Sequence, residues 1–350
     1  MNKPSLILFL FVFSMFGIVY ATCGVVTVSA HEVYVLDSSE IHIALQAPQP
    51  DFIQSIQDHL SQFLLWGSIV IILVLTIFFV SINRPLERVC DPWLTRLKKY
   101  SPHVAQVTLG SALVASGYYG AIFGVELPLR DIFGSFAVLF SYILITLGGM
   151  LIFGLFPRIA AIGVTGIFVG LVWHFGVYML NYATYLGEAI TLALFGGAHT
   201  LFADQRLSRF FTRVIPEHFH VYKFMIMRVL FGISLIYASL YAKLIHGALA
   251  LEVVTKYHLT HYFPFDPIFL VLGAMLIEIL IGTFFLIGFE IRFTSLFFLV
   301  FLSMSLVFFG ESVWPHIILI GTAVAMFLHG YDKYTFSVRL EKDKKAEPVL

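Results

Sequence analysis

Apolar stretches of membrane-spanning length recur along the chain, separated by short polar breaks: Phe63 to Ile82, Val104 to Val125, Ile132 to Gly154, Ile159 to Tyr178, Tyr182 to Phe202, Phe224 to Ile245, Pro267 to Gly288, Phe293 to Phe309 and Ser312 to Leu328. A span takes about 20 apolar residues, so the pattern predicts nine transmembrane helices. Backbone groups facing lipid must pair within their own segment, and no stretch shows the period-two alternation of a barrel. Upstream, the start Met1-Asn2-Lys3, the apolar run Leu6 to Val19 and the small residues at Ala21 and Val28-Ser29-Ala30 predict a secretory leader over 1–30. An uncleaved anchor is the alternative, because the stretch to Val28 is long enough to span. Residues 31–62, polar and holding Pro48 and Pro50, are too few for a core of their own and read as an exposed segment.

Composition agrees with a chain solvated by lipid. Of 350 residues, 59% are hydrophobic and 12% charged, against about 25% charged in soluble domains. With 37 Phe and only 2 Cys, disordered, collagen-like and disulfide-stapled classes are excluded as well. Lys+Arg and Asp+Glu balance at 21 each, which leaves no case for a nucleic-acid partner. The placement of the basic residues is more telling. Arg84, Arg88, Arg96, Lys98, Lys99, Arg158, Arg206, Arg209, Arg213, Lys223, Arg228, Arg292, Lys333, Arg339, Lys342, Lys344 and Lys345 fall on one side, leaving Arg130, Lys243 and Lys256 on the other and Lys3 in the leader. The positive-inside rule then puts the tail 331–350 in the cytoplasm and the mature amino terminus outside a plasma (inner) membrane.

The stretch Ile143 to Gly196 aligns without a gap on Ile277 to Gly330. Gly148 falls on Gly282, Gly154 on Gly288, Arg158 on Arg292, Phe175-Gly176 on Phe309-Gly310, Gly187 on Gly321 and Gly196 on Gly330. Small residues at matching depths suit close helix packing. The expected architecture is all-α: one extra transmembrane helix (63–82), then two parallel four-helix bundle repeats over 104–202 and 224–330. An even number of helices per unit makes the copies parallel, unlike the inverted repeats of many transporters.

In the second unit, Arg228-Val229-Leu230-Phe231-Gly232 opens a helix and Lys243 closes it. Beyond them come Glu278, Gly282, Gly288, Arg292, Phe309-Gly310-Glu311 and Trp314-Pro315-His316. This pattern resembles the DoxX/DoxD family of small four-helix membrane proteins. The first unit is similar as a degenerate copy, with Leu144, Val177 and His174 where the second has Glu278, Glu311 and Phe308. The family takes its name from a terminal quinol oxidase complex and a thiosulfate:quinone oxidoreductase. The resemblance therefore implies the four-helix fold and a quinone-linked role beside other redox-complex subunits.

Candidate ligand-binding residues cluster in the second unit. Lys243 and His246 share a helical face near the outer end of the sixth helix. Glu278 lies midway down the seventh, where an ionised carboxylate costs roughly 3 kcal/mol or more unless paired or protonated. Glu311, Trp314 and His316 occupy the turn between the last two helices, although Trp314-Pro315 also suits an interfacial anchor and helix start. Depth favours Lys243 pairing with Glu311 beside His316, with Glu278 protonated against a neighbouring helix. The loop carrying Lys256, His258 and His261 could cap the pocket or simply lie in the interface. In the first unit, His174 and Glu188 sit on adjacent hairpin helices and form a secondary candidate pair.

His174, His246 and His316 all lie outward, but no spacing signature supports haem. A cleaved His31 amino terminus with nearby His42 is the sole, weak candidate for a metal, copper. Cys90 as a lone cytoplasmic thiol excludes a CxxC dithiol, and no Walker loop, GxGxxG, HExxH or nucleophile elbow occurs. Three function classes remain. The first is a quinone-associated subunit of a membrane redox complex, whose chemistry would come from a bound cofactor or partner. The others are a non-catalytic scaffold or assembly factor and a carrier for a small solute or proton. A bound quinone, co-purifying subunits or uptake by liposomes would separate them.

Overall fold

A backbone in hydrocarbon has only itself to bond with, and the chain answers with helices. The computed structural model describes residues 35–83, 93–197, 200–201, 205–214, 219, 222–331 and 334–336. The leader, His31, Cys90, His199, Glu217, His218, His220 and nearly all of the tail lie outside them. Among the described residues there is no strand, only an isolated bridge between Ala121 and Pro128.

The helices are α1 (Ser38–Gln46), α2 (Phe52–Asp58), α3 (Leu60–Asn83), α4 (Ser101–Tyr119), α5 (Leu129–Phe133), α6 (Ala137–Ile152), α7 (Pro157–Phe175), α8 (Ala183–Phe195), α9 (Gln205–Val214), α10 (Lys223–Leu240), α11 (Gly247–Lys256), α12 (Leu259–Tyr262), α13 (Pro267–Ile287), α14 (Ile291–Phe309) and α15 (Ile317–His329). Six helical stretches among the described residues are long and apolar enough to cross a membrane: Leu60–Ile77, Leu129–Ile152, Pro157–Phe195, Lys223–Ile245, Pro267–Ile287 and Ile291–Phe309, with Trp314–His329 a shorter apolar one. The protein is thus an all-α membrane protein. The long stretch Pro157–Phe195 is a hairpin, because Gly196 at its end lies against the Arg158 guanidinium at its start.

Two expected spans end early. The stretch expected to run to Val125 stops at Tyr119, where Gly120 turns left-handed (φ 69°) and residues 121–128 fold back as a compact loop. The stretch expected to reach Phe202 is helical only to Phe195. Polar Gln106 and its serines make α4 less apolar than its neighbours, yet it packs closely on α6 and α15, where Ser101 bonds the Ala325 carbonyl.

Glycine sets two close crossings. A Cβ on Gly110 would meet the Gly148 carbonyl oxygen at 2.7 Å, and one on Gly232 would meet the Gly282 carbonyl oxygen at 2.5 Å. So α4 crosses α6 as α10 crosses α13, through small residues that let backbones touch. α8 packs on α10, and α15 on α4, so the last helix of each half leans on the first helix of the other. The halves have separate cores, one around Phe123, Phe140 and Tyr185 and one around Phe231, Phe285 and Phe298.

Lys98, Lys223 and Arg292 act together on His329 at one end of the bundle, and Arg158 lies within the field of Lys223. This is the basic end. At the opposite end α1 and α2 lie over α11 and the start of α13: Lys256 bonds Glu40 at 2.7 Å, and Ser55 donates to Asp266 at 3.4 Å. α3 stands apart. Its ring contacts, Phe63 on Phe269 and Trp66 on Phe265, are near its start, and Ile71 and Ile72 are exposed as a lipid-facing helix requires.

Candidate functional site

At the end away from the basic residues, α10 does not close as an α-helix. Tyr241–Ile245 form a π turn, and His246 Nδ1 lies 3.0 Å from the Tyr241 carbonyl oxygen, capping it. A π turn inserts an extra residue and rotates the chain beyond it, a device frequent at functional sites. Lys243 in this turn reaches inward to Glu278 of α13, with Nζ 2.8 Å from Oε2 and side chains only 12% and 25% exposed.

Here the structure corrects the expected pairing. Lys243 bonds Glu278 rather than Glu311, because the lysine stem spans the turn of depth that separated them. Glu278 is accordingly a paired carboxylate and not one left to a neighbouring helix. Glu311 follows Gly310, whose left-handed φ of 66° ends α14 and turns the chain back over it. Its carboxylate accepts from Ser305 Oγ at 3.3 Å, lies 3.3 Å from His316 Nε2 and feels the charges of both Lys243 and Glu278. Burial raises its pKa above the ordinary carboxylate value, with Ser305 and Lys243 opposing.

The histidine tautomer is set by its other contact. His316 Nδ1 lies 3.0 Å from the Ser312 carbonyl oxygen, which can only accept, so Nδ1 carries a proton. Neutral His316 therefore offers a bare Nε2 to Glu311. The contact needs a proton between them, held either as a carboxylic acid donating to Nε2 or as an imidazolium donating to the carboxylate. With Lys243 and Glu278 cancelling, the cluster is close to neutral and carries one exchangeable proton.

Glu278, Glu311 and His316 line a cavity of about 170 Å3 between the halves. Its apolar wall is Leu235, Phe298, Phe301, Leu302, Ile318 and Leu319. The first half contributes Glu126, Asn181, Tyr182, Thr184 and Tyr185, none of which the sequence singled out. Asn181 Oδ1 and Thr184 Oγ1 are buried with no hydrogen-bond partner among the described residues, so the cavity presents polar atoms to an occupant. Glu126 is only 8% exposed in the loop 120–128, between Ile122, Phe123 and Leu127, which are wholly buried. That apolar loop with a single carboxylate was the available signal.

The remaining candidates have other places. Trp314 is no surface anchor: it is 8% exposed and stacks on Tyr119 with ring centroids 5.2 Å apart, which pins the turn bearing His316 to α4. His246 packs on the Tyr241 ring and holds the π turn. His174 rests edge-on against Phe175, while Glu188 accepts from Thr322 of α15 at 2.7 Å, so these two are not brought together. Lys256 is tied to Glu40, and Tyr257 donates to the Phe309 carbonyl, so their loop covers the end of α14 and does not line the cavity. Among the described residues no group of three or more His, Cys, Asp or Glu side chains is placed to hold a metal ion. Comparison with family models, curated proteins and solved structures finds no match to the chain.

Proposed function

We propose that the protein is a DoxX-like membrane protein built from two related four-helix units, and that the cavity between them takes the head group of a quinone or quinol. It would then serve as a quinone-associated subunit of a membrane redox complex, with electrons handled by a partner subunit. The observation that carries this reading is the Glu311–His316 pair sharing one proton at the edge of an aromatic and aliphatic cavity. A quinone carbonyl accepts a hydrogen bond and a quinol hydroxyl donates one, and a pair that can do either suits both forms. The volume is below the roughly 300–1,000 Å3 of drug-sized sites. That fits one ring, with an isoprenoid tail left to lipid.

Trp314 supplies the test. It precedes cavity residues Pro315 and His316, whereas Trp66, Trp93 and Trp173 are exposed on the surface. Titration of the full chain in mild detergent with decylubiquinone should quench the Trp314 component, identified by its loss in Trp314→Phe. Glu311→Gln and His316→Phe should weaken the quenching by about tenfold or more in concentration, the scale of one charge-assisted hydrogen bond. Quenching that persists unchanged in both variants refutes the reading. The proposed orientation puts the basic end in the cytoplasm, as the positive-inside rule requires. A cysteine at position 256 should then react with an impermeant thiol reagent in intact cells and one at 345 should not; the reverse result overturns it.

A further inference from the structure

Two polar side chains of the first half stand in the cavity wall with work left undone. Thr184 is 2% exposed, and its Oγ1 makes no hydrogen bond among the described residues. A threonine hydroxyl within a helix ordinarily donates to the carbonyl one turn back, as Thr108 does to Val104, Thr165 to Ala161, Thr255 to Leu251 and Thr322 to Ile318. Thr184, in the first turn of α8 just after the 3-10 turn Gly176–Tyr182, makes no such bond. Asn181 belongs to that turn. Its backbone carbonyl accepts from Ser234 Oγ of α10, beside cavity residues Leu235 and Ala238, while its side-chain Oδ1 is buried without a partner among the described residues.

A buried polar atom without a partner is costly to keep, so two of them on one wall point to a partner from outside the chain. Their chemistries are complementary. The carboxamide oxygen of Asn181 accepts, and the Thr184 hydroxyl donates as well as accepts. Between them they serve a ring carbonyl through Thr184 and a ring hydroxyl through Asn181, as the Glu311–His316 pair of the second half serves either form. We propose that Asn181 and Thr184 hold the second oxygen of the ring, so that the cavity selects a ring oxygenated at both ends over a monophenol. This rests on the quinone reading of the cavity and adds to it the residues that set its ligand specificity. No bond to hydrogen breaks at this end, because neither group titrates near neutral pH. The exchangeable proton stays with Glu311 and His316.

The Trp314 quenching titration of the full chain tests it with two probes. Thr184→Val and Asn181→Leu, which remove the polar atoms and keep much of the shape, should each weaken decylubiquinone by about three- to tenfold, the scale of one neutral hydrogen bond. The affinity of decylphenol, a ring with one oxygen, is read by its displacement of decylubiquinone. It should be unchanged in both variants, because a single oxygen goes to the stronger, charge-assisted end. Without ligand, Thr184→Val should leave the midpoint of unfolding in SDS mixed micelles where it is or raise it, since its hydroxyl bonds nothing in the fold. A lowered midpoint would show the hydroxyl bonded within the protein, equal weakening of both probes would show general damage to the cavity, and decylubiquinone binding indifferent to both substitutions would make the pair a water site only. Each of these overturns the assignment, and the quinone reading survives them where Glu311→Gln still weakens binding. Absence of decylubiquinone quenching in the unsubstituted chain sinks both.

Discussion

The Lys243–Glu278 pair allows a quantitative forecast, because its two partners are not equally replaceable. Lys243→Met keeps the length of the side chain and removes the charge, leaving Glu278 and Glu311 in one cavity wall without a cation. Breaking a buried pair from one side costs roughly 3 to 5 kcal/mol, and an exposed pair is worth about 1 kcal/mol or less. With side chains 12% and 25% exposed, this pair is near the buried limit, so Lys243→Met should cost about 3 kcal/mol. Glu278→Gln should cost only about 1 kcal/mol, since Lys243 keeps a hydrogen-bond acceptor and still has Glu311 within its field. The double variant leaves one carboxylate, Glu311, already supported by Ser305 and His316, and should be more stable than Lys243→Met alone, with a coupling of about 2 kcal/mol.

Unfolding the four proteins in mixed micelles of increasing SDS fraction measures the cycle. Additivity, or a Glu278→Gln penalty as large as that of Lys243→Met, would show that the contact carries no energy. The pH dependence supplies an independent sign. Glu311 has a folded pKa raised by burial, so its contribution is fully favourable below the unfolded carboxylate value and is lost as pH rises through the raised one. The Lys243→Met penalty should therefore be greatest at neutral pH and shrink on acidification, as Glu311 takes up a proton. A penalty that grows on acidification refutes the assignment.

Three further outcomes rest on particular contacts. Gly232→Ala would set a Cβ 2.5 Å from the Gly282 carbonyl oxygen and 2.9 Å from Leu286 N, backbone atoms that cannot swing aside. It should cost about 1–3 kcal/mol in the same SDS titration, whereas Gly273→Ala, with nothing within 4 Å, should leave the midpoint unchanged. Arg228→Lys loses the guanidinium that donates to the carbonyls of Phe285 and Leu286 at 2.6 and 2.9 Å and should destabilise by about 1–3 kcal/mol; a neutral result would show those carbonyls satisfied otherwise. The docking of α1 should weaken in acid. The Lys256 hydrogen bond lowers the Glu40 pKa, so its contribution is present above the ordinary carboxylate value and is lost as pH falls through the lowered one. Hydrogen exchange in α1, corrected for intrinsic rate, should rise below about pH 4 while α15 stays protected; protection of α1 unaltered by acid would count against the tie.

Spanning length and lipid solvation are properties of local sequence, which is why every apolar stretch contains a helix, although those expected to reach Val125 and Phe202 end at Tyr119 and Phe195. Small-residue matching carried further: Gly148 and Gly282, which the alignment pairs, both sit where helix backbones cross closely, against Gly110 and Gly232. What the pattern could not carry was depth and direction. Lys243 and Glu278 lie at different levels on a regular helix, and a π turn with a flexible lysine stem closed the gap. Hydropathy cannot see a π turn. Glu126 was missed for a different reason. A loop between spans is read as solvated, but Gly120 and the left-handed Phe123 (φ 65°) fold this one into the core. His174 and Glu188 are neighbours by topology alone, and the rotation of each helix about its axis, set by packing, sends Glu188 to α15 instead.

That rotation bears on why a single site forms between two halves of similar design. Each half ends in a helix that leans on the first helix of the other, with Gly187 against Leu230 and Gly321 against Thr108. The two closing helices then face each other where Glu188 meets Thr322, positions that the sequence alignment of the halves also matches. Packing that matched fully in both directions would offer two equivalent cavities. The charges break the equivalence. Glu278 and Glu311 have Leu144 and Val177 at the matching places, so only the second half carries the carboxylates that need Lys243 and His316. The first half contributes Glu126 and Tyr185 from its own loop and closing helix. Similar packing in the two halves thus supplies the walls, and unequal charge supplies the polar site between them.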